Sequence, residues 1–141
     1  MDAESIKILL VEDNPGDARL IQEMLRGVPS PQIEWRHAGR LDRAIERLAE
    51  EDVDLVLLDL GLPDGHGLDT FISLQSACPH VPVIVLTGMA DEQVGADAIG
   101  HGAQDYLVKG QVQTDLLLRT VRYAISRHRI AEELRERELK G

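Results

Sequence analysis

Residues 53–60 read VDLVLLDL and are followed at once by GLPDGHG, residues 61–67. The first stretch is a nearly continuous apolar run of strand length that carries the carboxylate of Asp59 near its end. The second is a loop of glycine, proline and polar residues. Strands that are apolar on both faces are typical of parallel sheets covered by helices on each side. This stretch therefore predicts the central strand of such a sheet, with Asp59 at its carboxyl end.

Similar runs recur on both sides of this stretch. Residues 6–11 (IKILLV) and 81–86 (VPVIVL) are continuous, residues 33–38 (IEWRHA) alternate, and residues 106–108 (YLV) are short. Each run is followed by apolar residues at helical spacing, and the last helix begins near Gln113. Asn14 suits the N-cap and Pro15 the first position of the first helix, which we expect Gly27 and Pro29 to end.

This order predicts an α/β fold in which a strand and a helix alternate five times, (βα)5. We expect a single domain with a doubly wound, five-stranded parallel sheet and a long C-terminal helix. Right-handed crossovers leave few ways to wind such units. Ligands of open sheets bind at the carboxyl ends of the strands, near a switch in strand order.

Polar residues stand at those strand ends. Glu12 and Asp13 follow the first strand, Asp59 ends the third, Thr87 the fourth and Lys109 the fifth. Carboxylates brought together need a compensating cation, and Mg²⁺ prefers oxygen ligands. Taken singly, each residue has a plainer reading as a loop, cap or turn residue. Their joint occurrence at strand ends is the specific signal.

Asp59 is the candidate nucleophile because it lies at the centre of the sheet. A carboxylate can accept a phosphoryl group to form an acyl phosphate, and a metal ion can neutralise charge on the transferred oxygens. Lys109 supplies a mobile positive charge, which we expect to pair with Asp59 at rest and with a phosphate oxygen after transfer.

The composition of the chain argues against several classes of function. The 141 residues carry a formal net charge of −10, which argues against nucleic acid as a partner. No apolar run approaches the length of a membrane span and no secretory signal is evident, so we expect a cytoplasmic protein that binds no membrane. Cys78 is the single cysteine, which excludes intramolecular disulfides.

At this point the sequence resembles the receiver domains of two-component response regulators, over residues 7–128. The matching stretches are ILLVEDN (8–14), DLGLPD (59–64) with Gly67, VIVLTG (83–88) and DYLVK (105–109). The resemblance implies a flavodoxin-like fold with strand order 2-1-3-4-5. It also implies a phosphohistidine donor, either a sensor histidine kinase or a histidine phosphotransfer protein.

Family roles carry over to individual residues. Asp59 would be the phospho-acceptor, with Thr87 and Lys109 as its catalytic partners on the phosphoryl oxygens. Glu12, Asp13, Asp59 and the backbone carbonyl of Gly61 would hold Mg²⁺. Tyr106 would be the switch residue that turns inward when Thr87 moves, changing the face formed by the fourth helix, fifth strand and fifth helix. The domain would then catalyse its own phosphorylation without being a multi-turnover enzyme.

Two departures from the family pattern affect these expectations. Gly110 stands where many receivers have proline, so we expect a looser loop after Lys109. Gly61 and Met89 occupy the positions that help set the rate of phosphate loss in the family. Because neither side chain can orient a water molecule by hydrogen bonding, we predict slow self-dephosphorylation.

The end of the last helix differs in pattern from its beginning. We assign residues 1–128 to the receiver domain and residues 129–141 to an extension in which Ile130 and Leu134 are nearly the only apolar positions before Leu139. The extension is open to three interpretations: a solvated tail, a signalling helix leading to an output domain, and a short coiled coil that makes a homodimer. We expect the chain to be a fragment of a longer protein.

Three rival functions fit the sequence less well. An aspartyl phosphatase would carry its nucleophile on the first strand with a second aspartate two residues later, whereas position 61 is glycine. An FMN-binding flavodoxin would need a phosphate loop after the first strand, where Glu12 and Asp13 stand. A purely structural interaction module would need a degenerate site, yet every polar member is present.

Overall fold

A computed structural model describes residues 5–28 and 32–140 of the chain. The predicted helix stop at Pro29 lies outside these residues, whereas Gly27 caps the first helix as expected. The strands are β1 (Ser5–Val11), β2 (Gln32–Ala38), β3 (Leu55–Asp59), β4 (Val83–Thr87) and β5 (Asp105–Val108). The helices are α1 (Pro15–Arg26), α2 (Leu41–Glu50), α3 (Gly67–Ala77), α4 (Glu92–Gly100) and α5 (Thr114–Lys140).

The five strands form one sheet in the order β2-β1-β3-β4-β5, and every neighbouring pair is parallel. The predicted fold class and strand order are therefore confirmed. The order reverses between β1 and β3, so a crevice opens at the carboxyl ends of these two strands.

The sheet has two apolar faces because its central strands are buried on both sides. One face packs on α1 and α5, through Leu10, Leu57 and Leu117 among others. The opposite face packs on α2, α3 and α4, through Leu58, Phe71 and Ala98 among others. In the central strands β3 and β4 the one polar residue of each, Asp59 and Thr87, stands at the carboxyl end.

The helix α5 is continuous over 27 residues. Its first half is anchored by the buried side chains of Leu117, Val121 and Ala124. Beyond Ser126 its apolar side chains are exposed, with Ile130 55 % and Leu134 52 % accessible. The extended C-terminal helix of the predicted fold is therefore present.

Candidate functional site

The carboxyl edge of the sheet brings the predicted site residues together. Glu12 and Asp13 follow β1, Asp59 is the last residue of β3, and Thr87 is the last residue of β4. Lys109 follows β5, and its backbone N–H donates to the carbonyl oxygen of Thr87 over 2.8 Å. All five lie on one rim because parallel strands end at the same edge.

Three carboxylates form the acidic part of the site. Glu12, Asp13 and Asp59 each offer an oxygen within 4.8 Å of the others. Glu12 is fully buried and Asp59 is 5 % exposed, whereas Asp13 is open to solvent. The backbone N–H of Gly61 donates to Oδ1 of Asp59 over 3.1 Å, which fixes that carboxylate. Coordination by the carbonyl of Gly61 stays a prediction.

Lys109 is the positive centre of the site. Its Nζ lies 2.6 Å from Oε2 of Glu12, 3.1 Å from Oδ2 of Asp17 and 3.2 Å from Oδ1 of Asp59. Burial alone would lower the pKa of this ammonium, but the surrounding carboxylates outweigh burial and raise its pKa above the usual value. Lys109 therefore stays charged at any physiological pH.

The same environment favours the neutral form of Glu12. Burial raises the pKa of its carboxyl to about 7, and the nearby Asp59 adds to the rise while Lys109 and the N–H of Asn14 oppose it. The Asn14 N–H donates to Oε1 of Glu12 over 3.1 Å. A buried carboxyl that is costly to ionise is the kind of group that a bound cation would stabilise.

Thr87 points a buried hydroxyl into the site. The residue is 2 % exposed, and Oγ1 has no hydrogen-bond partner among the residues that the structure describes. Leaving a buried hydroxyl unpaired costs free energy, so such a group is a place to look for function. Here it stands at the end of the strand next to the one that carries Asp59.

Two contacts of the site were missed by the sequence analysis. The carboxylate of Asp17, in the first turn of α1, reaches Lys109 as described above. His37, near the end of β2, lies with Nε2 2.7 Å from the backbone carbonyl oxygen of Glu12. Since a carbonyl oxygen can only accept, Nε2 carries the proton. The position of His37 at the carboxyl end of a strand was the available signal.

The site lies at the bottom of an open depression of about 660 Å³. His66 from the loop after β3 and Asp91 from the turn before α4 stand on its rim. The floor is formed by the acidic cluster, Thr87 and Lys109. The depression has room for a small anion together with a hydrated cation, and it leaves Asp59 accessible from outside.

Tyr106 lies on β5, away from the depression. Its ring packs against the backbone of Gly95 in α4, and its hydroxyl donates to Oε1 of Glu92 over 3.4 Å. The side chain is partly exposed and joins the packed residues of the α2–α4 face. It therefore lies between α4 and β5, and its role as a switch stays a prediction.

None of the helices in the described part of the chain is both long and apolar enough to span a membrane.

The sequence profile described as "Response regulator receiver domain" matches residues 8–122. The KDP operon transcriptional regulatory protein KdpE of Escherichia coli (strain K12) is 37 % identical over 125 residues, covering 86 % of this chain and 52 % of that protein. The "Glycerol metabolism activator" of Pseudomonas putida is 32 % identical over 114 residues, covering 78 % and 50 %. The "Transcriptional regulatory protein ZraR" of Klebsiella oxytoca is 29 % identical over 136 residues, covering 94 % and 29 %. The chain thus spans about half or less of the length of these relatives.

Two solved structures of receiver domains are also similar to this chain. The signal receiver domain of an HD domain-containing protein from Pseudomonas fluorescens Pf-5 superposes with a TM-score of 0.79 at 27 % identity, covering 94 % of this chain and 96 % of that one. A response regulator receiver domain protein from Clostridium thermocellum superposes with a TM-score of 0.76 at 26 % identity, covering 89 % and 98 %.

Proposed function

The chain belongs to the response regulator receiver domain family of two-component systems, and we propose that it accepts a phosphoryl group on Asp59 with Mg²⁺ bound beside it. Members of this family receive their signal from histidine kinases or phosphotransfer proteins, and they are generally not multi-turnover enzymes. The observation that carries the proposal is the convergence on Asp59 of an acidic pair, an ammonium group and a buried, unpaired hydroxyl.

The donor set fits Mg²⁺ in its chemistry. Glu12, Asp13 and Asp59 supply only oxygen atoms, which a hard cation prefers, and the buried Glu12 gains a counter-charge. We assign these carboxylates and the carbonyl of Gly61 as the residues that would hold the ion. When bound, Mg²⁺ would neutralise negative charge on the phosphoryl oxygens.

The other roles in phosphoryl transfer are assigned to side chains of the site. A carboxylate oxygen of Asp59 attacks phosphorus, the P–N bond of the phosphohistidine donor breaks, and its electron pair returns to the imidazole ring. Lys109 pairs with one phosphoryl oxygen, and Thr87 donates its free hydroxyl to another. The reaction then depends mainly on positioning and electrostatic stabilisation. A donor of this kind places the domain in the cytoplasm.

Output would pass through the face formed by α4, β5 and α5. Tyr106 lies between α4 and β5, so a shift of Thr87 toward the phosphate would let its ring move inward. Residues 1–128 would form the receiver and residues 129–141 a signalling helix or dimer contact. The exposed Ile130 and Leu134 would face the partner there. Light scattering before and after phosphorylation tests whether the partner is a second copy of the chain.

Chemical mapping tests the acceptor itself. The protein is incubated with acetyl phosphate and Mg²⁺, reduced with borohydride and digested for peptide mass analysis. An acyl phosphate on Asp59 is converted to homoserine, so the expected product is homoserine at position 59 alone. Homoserine at Asp13 or at another aspartate would assign the acceptor elsewhere.

A further inference from the structure

A fourth carboxylate reaches the site from α1. Oδ2 of Asp17 accepts a hydrogen bond from Nζ of Lys109 over 3.1 Å, across 92 positions of sequence. The backbone at Asp17 is itself held, because its N–H donates to Oδ1 of the N-cap residue Asn14 over 3.0 Å. Asp17 is therefore presented to Lys109 from a fixed helix start.

Asp17 is one of three carboxylates around the ammonium of Lys109. Glu12 and Asp59 lie 2.6 and 3.2 Å from Nζ, and Asp17 lies at 3.1 Å. An ammonium group has three N–H donors and no acceptor, so its direction is set by the partners around it. Asp17 is the member of this trio that comes from α1 rather than from the end of a strand.

A bound metal ion would compete with the ammonium of Lys109 for Glu12 and Asp59. Glu12 and Asp59 belong to the acidic cluster that suits a divalent cation, whereas Asp17 stands outside that cluster. A cation bound there would repel the ammonium and take over part of its counter-charge. Asp17 would then be the remaining anchor of Lys109.

On this basis we propose that Asp17 is a positioning residue, which holds the ammonium of Lys109 beside Asp59 while the metal occupies Glu12, Asp13 and Asp59. The inference rests on the proposed function of the site. In the resting protein Asp17 shares Lys109 with two carboxylates. In the metal-loaded protein it keeps the ammonium where a phosphoryl oxygen arrives.

A plainer role for Asp17 makes different predictions. An acidic residue in the first turn of a helix is stabilising because of the helix dipole alone. That role would not depend on Lys109, and it would appear as a change in stability. A double-mutant cycle separates the two roles, because a residue that acts through Lys109 loses its effect when Lys109 is replaced.

The test uses Asp17→Asn, Lys109→Gln, the double variant and the control Asp115→Asn, which removes an acid from the first turn of another helix, α5. Phosphoryl gain from acetyl phosphate is followed by intact mass at saturating Mg²⁺. We expect Asp17→Asn to slow the gain about fivefold, in the range of coupling between contacting side chains. We expect Asp115→Asn to have no such effect, and Asp17→Asn to add nothing to Lys109→Gln. Equal slowing by Asp17→Asn in both backgrounds would overturn the proposal.

A second readout does not depend on phosphorylation. The chain has three lysines, Lys7, Lys109 and Lys140, so the ammonium signal of Lys109 in a proton–nitrogen spectrum is assigned by its loss in Lys109→Gln. With Mg²⁺ bound, this signal should persist in the wild type and in Asp115→Asn and vanish through fast exchange in Asp17→Asn. Its survival in Asp17→Asn would overturn the proposal. A wild type that gains no phosphoryl group would overturn the proposed function, and the spectrum would still decide the role of Asp17.

Discussion

The ring of Tyr106 lies directly against the backbone of Gly95, so that a Cβ atom at position 95 would stand 2.7 Å from Cγ of the tyrosine. This packing explains why α4 carries a glycine at position 95, because any side chain there would displace the ring. The helix accepts the usual cost of an interior glycine, about 1 kcal/mol relative to alanine. The position of Tyr106 and the sequence of α4 are therefore coupled.

Replacing Gly95 with alanine should therefore destabilise the protein. The gain in helix propensity is outweighed by overlap with Tyr106, and we expect a net loss of about 1–3 kcal/mol in the free energy of unfolding, as for other overpacked sites. Urea denaturation measures it. Gly100→Ala is the matched control, since a Cβ there meets nothing within 4 Å. Equal effects of the two substitutions would show that Tyr106 does not depend on Gly95.

The raised pKa of Glu12 predicts a pH-dependent stability in the absence of metal. The pKa rises from its ordinary value of 4.5 to about 7 in the fold, so the folded state binds the proton more tightly than the unfolded state. The free energy of unfolding should therefore fall as pH increases from about 4.5 to 7.

Glu12→Gln should lack this particular loss because glutamine does not titrate. Urea denaturation of both proteins at pH 5 and pH 8, in the presence of EDTA, gives the comparison. We predict that the variant gains stability relative to the wild type as pH increases. Parallel changes in the two proteins would contradict this prediction.

Because the buried hydroxyl of Thr87 is unpaired in the described residues, its removal should change the rate of phosphorylation more than the stability of the fold. Thr87→Val removes a buried group that has no partner in the described residues, so the free energy of unfolding should stay within about 1 kcal/mol of the wild type. The rate of phosphoryl gain should fall, because the donor to the phosphoryl oxygen is lost. Thr87→Ser keeps that donor and should retain most of the rate. A Thr87→Val protein that is phosphorylated at the wild-type rate would remove Thr87 from the site.

The hydrogen bond from His37 to the carbonyl of Glu12 predicts an effect on metal binding. This bond and the bond from the Glu12 N–H to the carbonyl of Ala38, at 3.0 Å, fix the two peptide groups on either side of Glu12. His37→Leu should weaken Mg²⁺ binding about tenfold, at the lower end of effects seen for groups that orient metal ligands. Calorimetric titration measures it. His37→Gln, which keeps a donor, should restore part of the affinity, and identical affinities in all three proteins would refute the idea.

Slow loss of the phosphoryl group is predicted from Gly61. A Cβ at this position would lie 3.7 and 4.0 Å from the two oxygens of Asp59, in ordinary contact, so a Cβ atom is accommodated there. Gly61→Asn would place an amide where it can orient an attacking water, and loss of the phosphoryl group should accelerate. Gly61→Ala adds bulk without an amide and should leave the rate nearly unchanged. A wild-type lifetime of seconds would contradict the prediction.

The sequence predicted the fold well because each strand is a distinct apolar run bounded by turn residues. The boundaries were less certain: β3 begins at Leu55 rather than at residue 53, and β4 begins at Val83 rather than at residue 81. A 3₁₀ turn over Met89–Asp91 also precedes α4, which begins at Glu92. Apolar periodicity marks what is buried, and it does not show where the helical geometry changes.

The sequence predicted which side chains meet at the carboxyl edge of the sheet, and it predicted the pairing of Lys109 with Asp59, whose Nζ and Oδ1 atoms lie 3.2 Å apart. Strand ends place Glu12, Asp59 and Lys109 on one edge whatever their neighbours are. The bond between Asp17 and Lys109 depends on the position of α1 relative to β5, which no local pattern encodes. The need for glycine at position 95 was likewise not predictable from a local pattern, because it depends on the ring of Tyr106 that lies against it.

Intact mass measurement tests the central claim most directly. The protein and an Asp59→Asn control are incubated with acetyl phosphate, each with Mg²⁺ and with EDTA. We predict that the wild type gains one phosphoryl group, that the gain requires Mg²⁺, and that the control gains none. No gain by the wild type, even over hours and with a phosphorylated histidine donor, would contradict the proposed function and leave a receiver fold that acts through protein contacts alone.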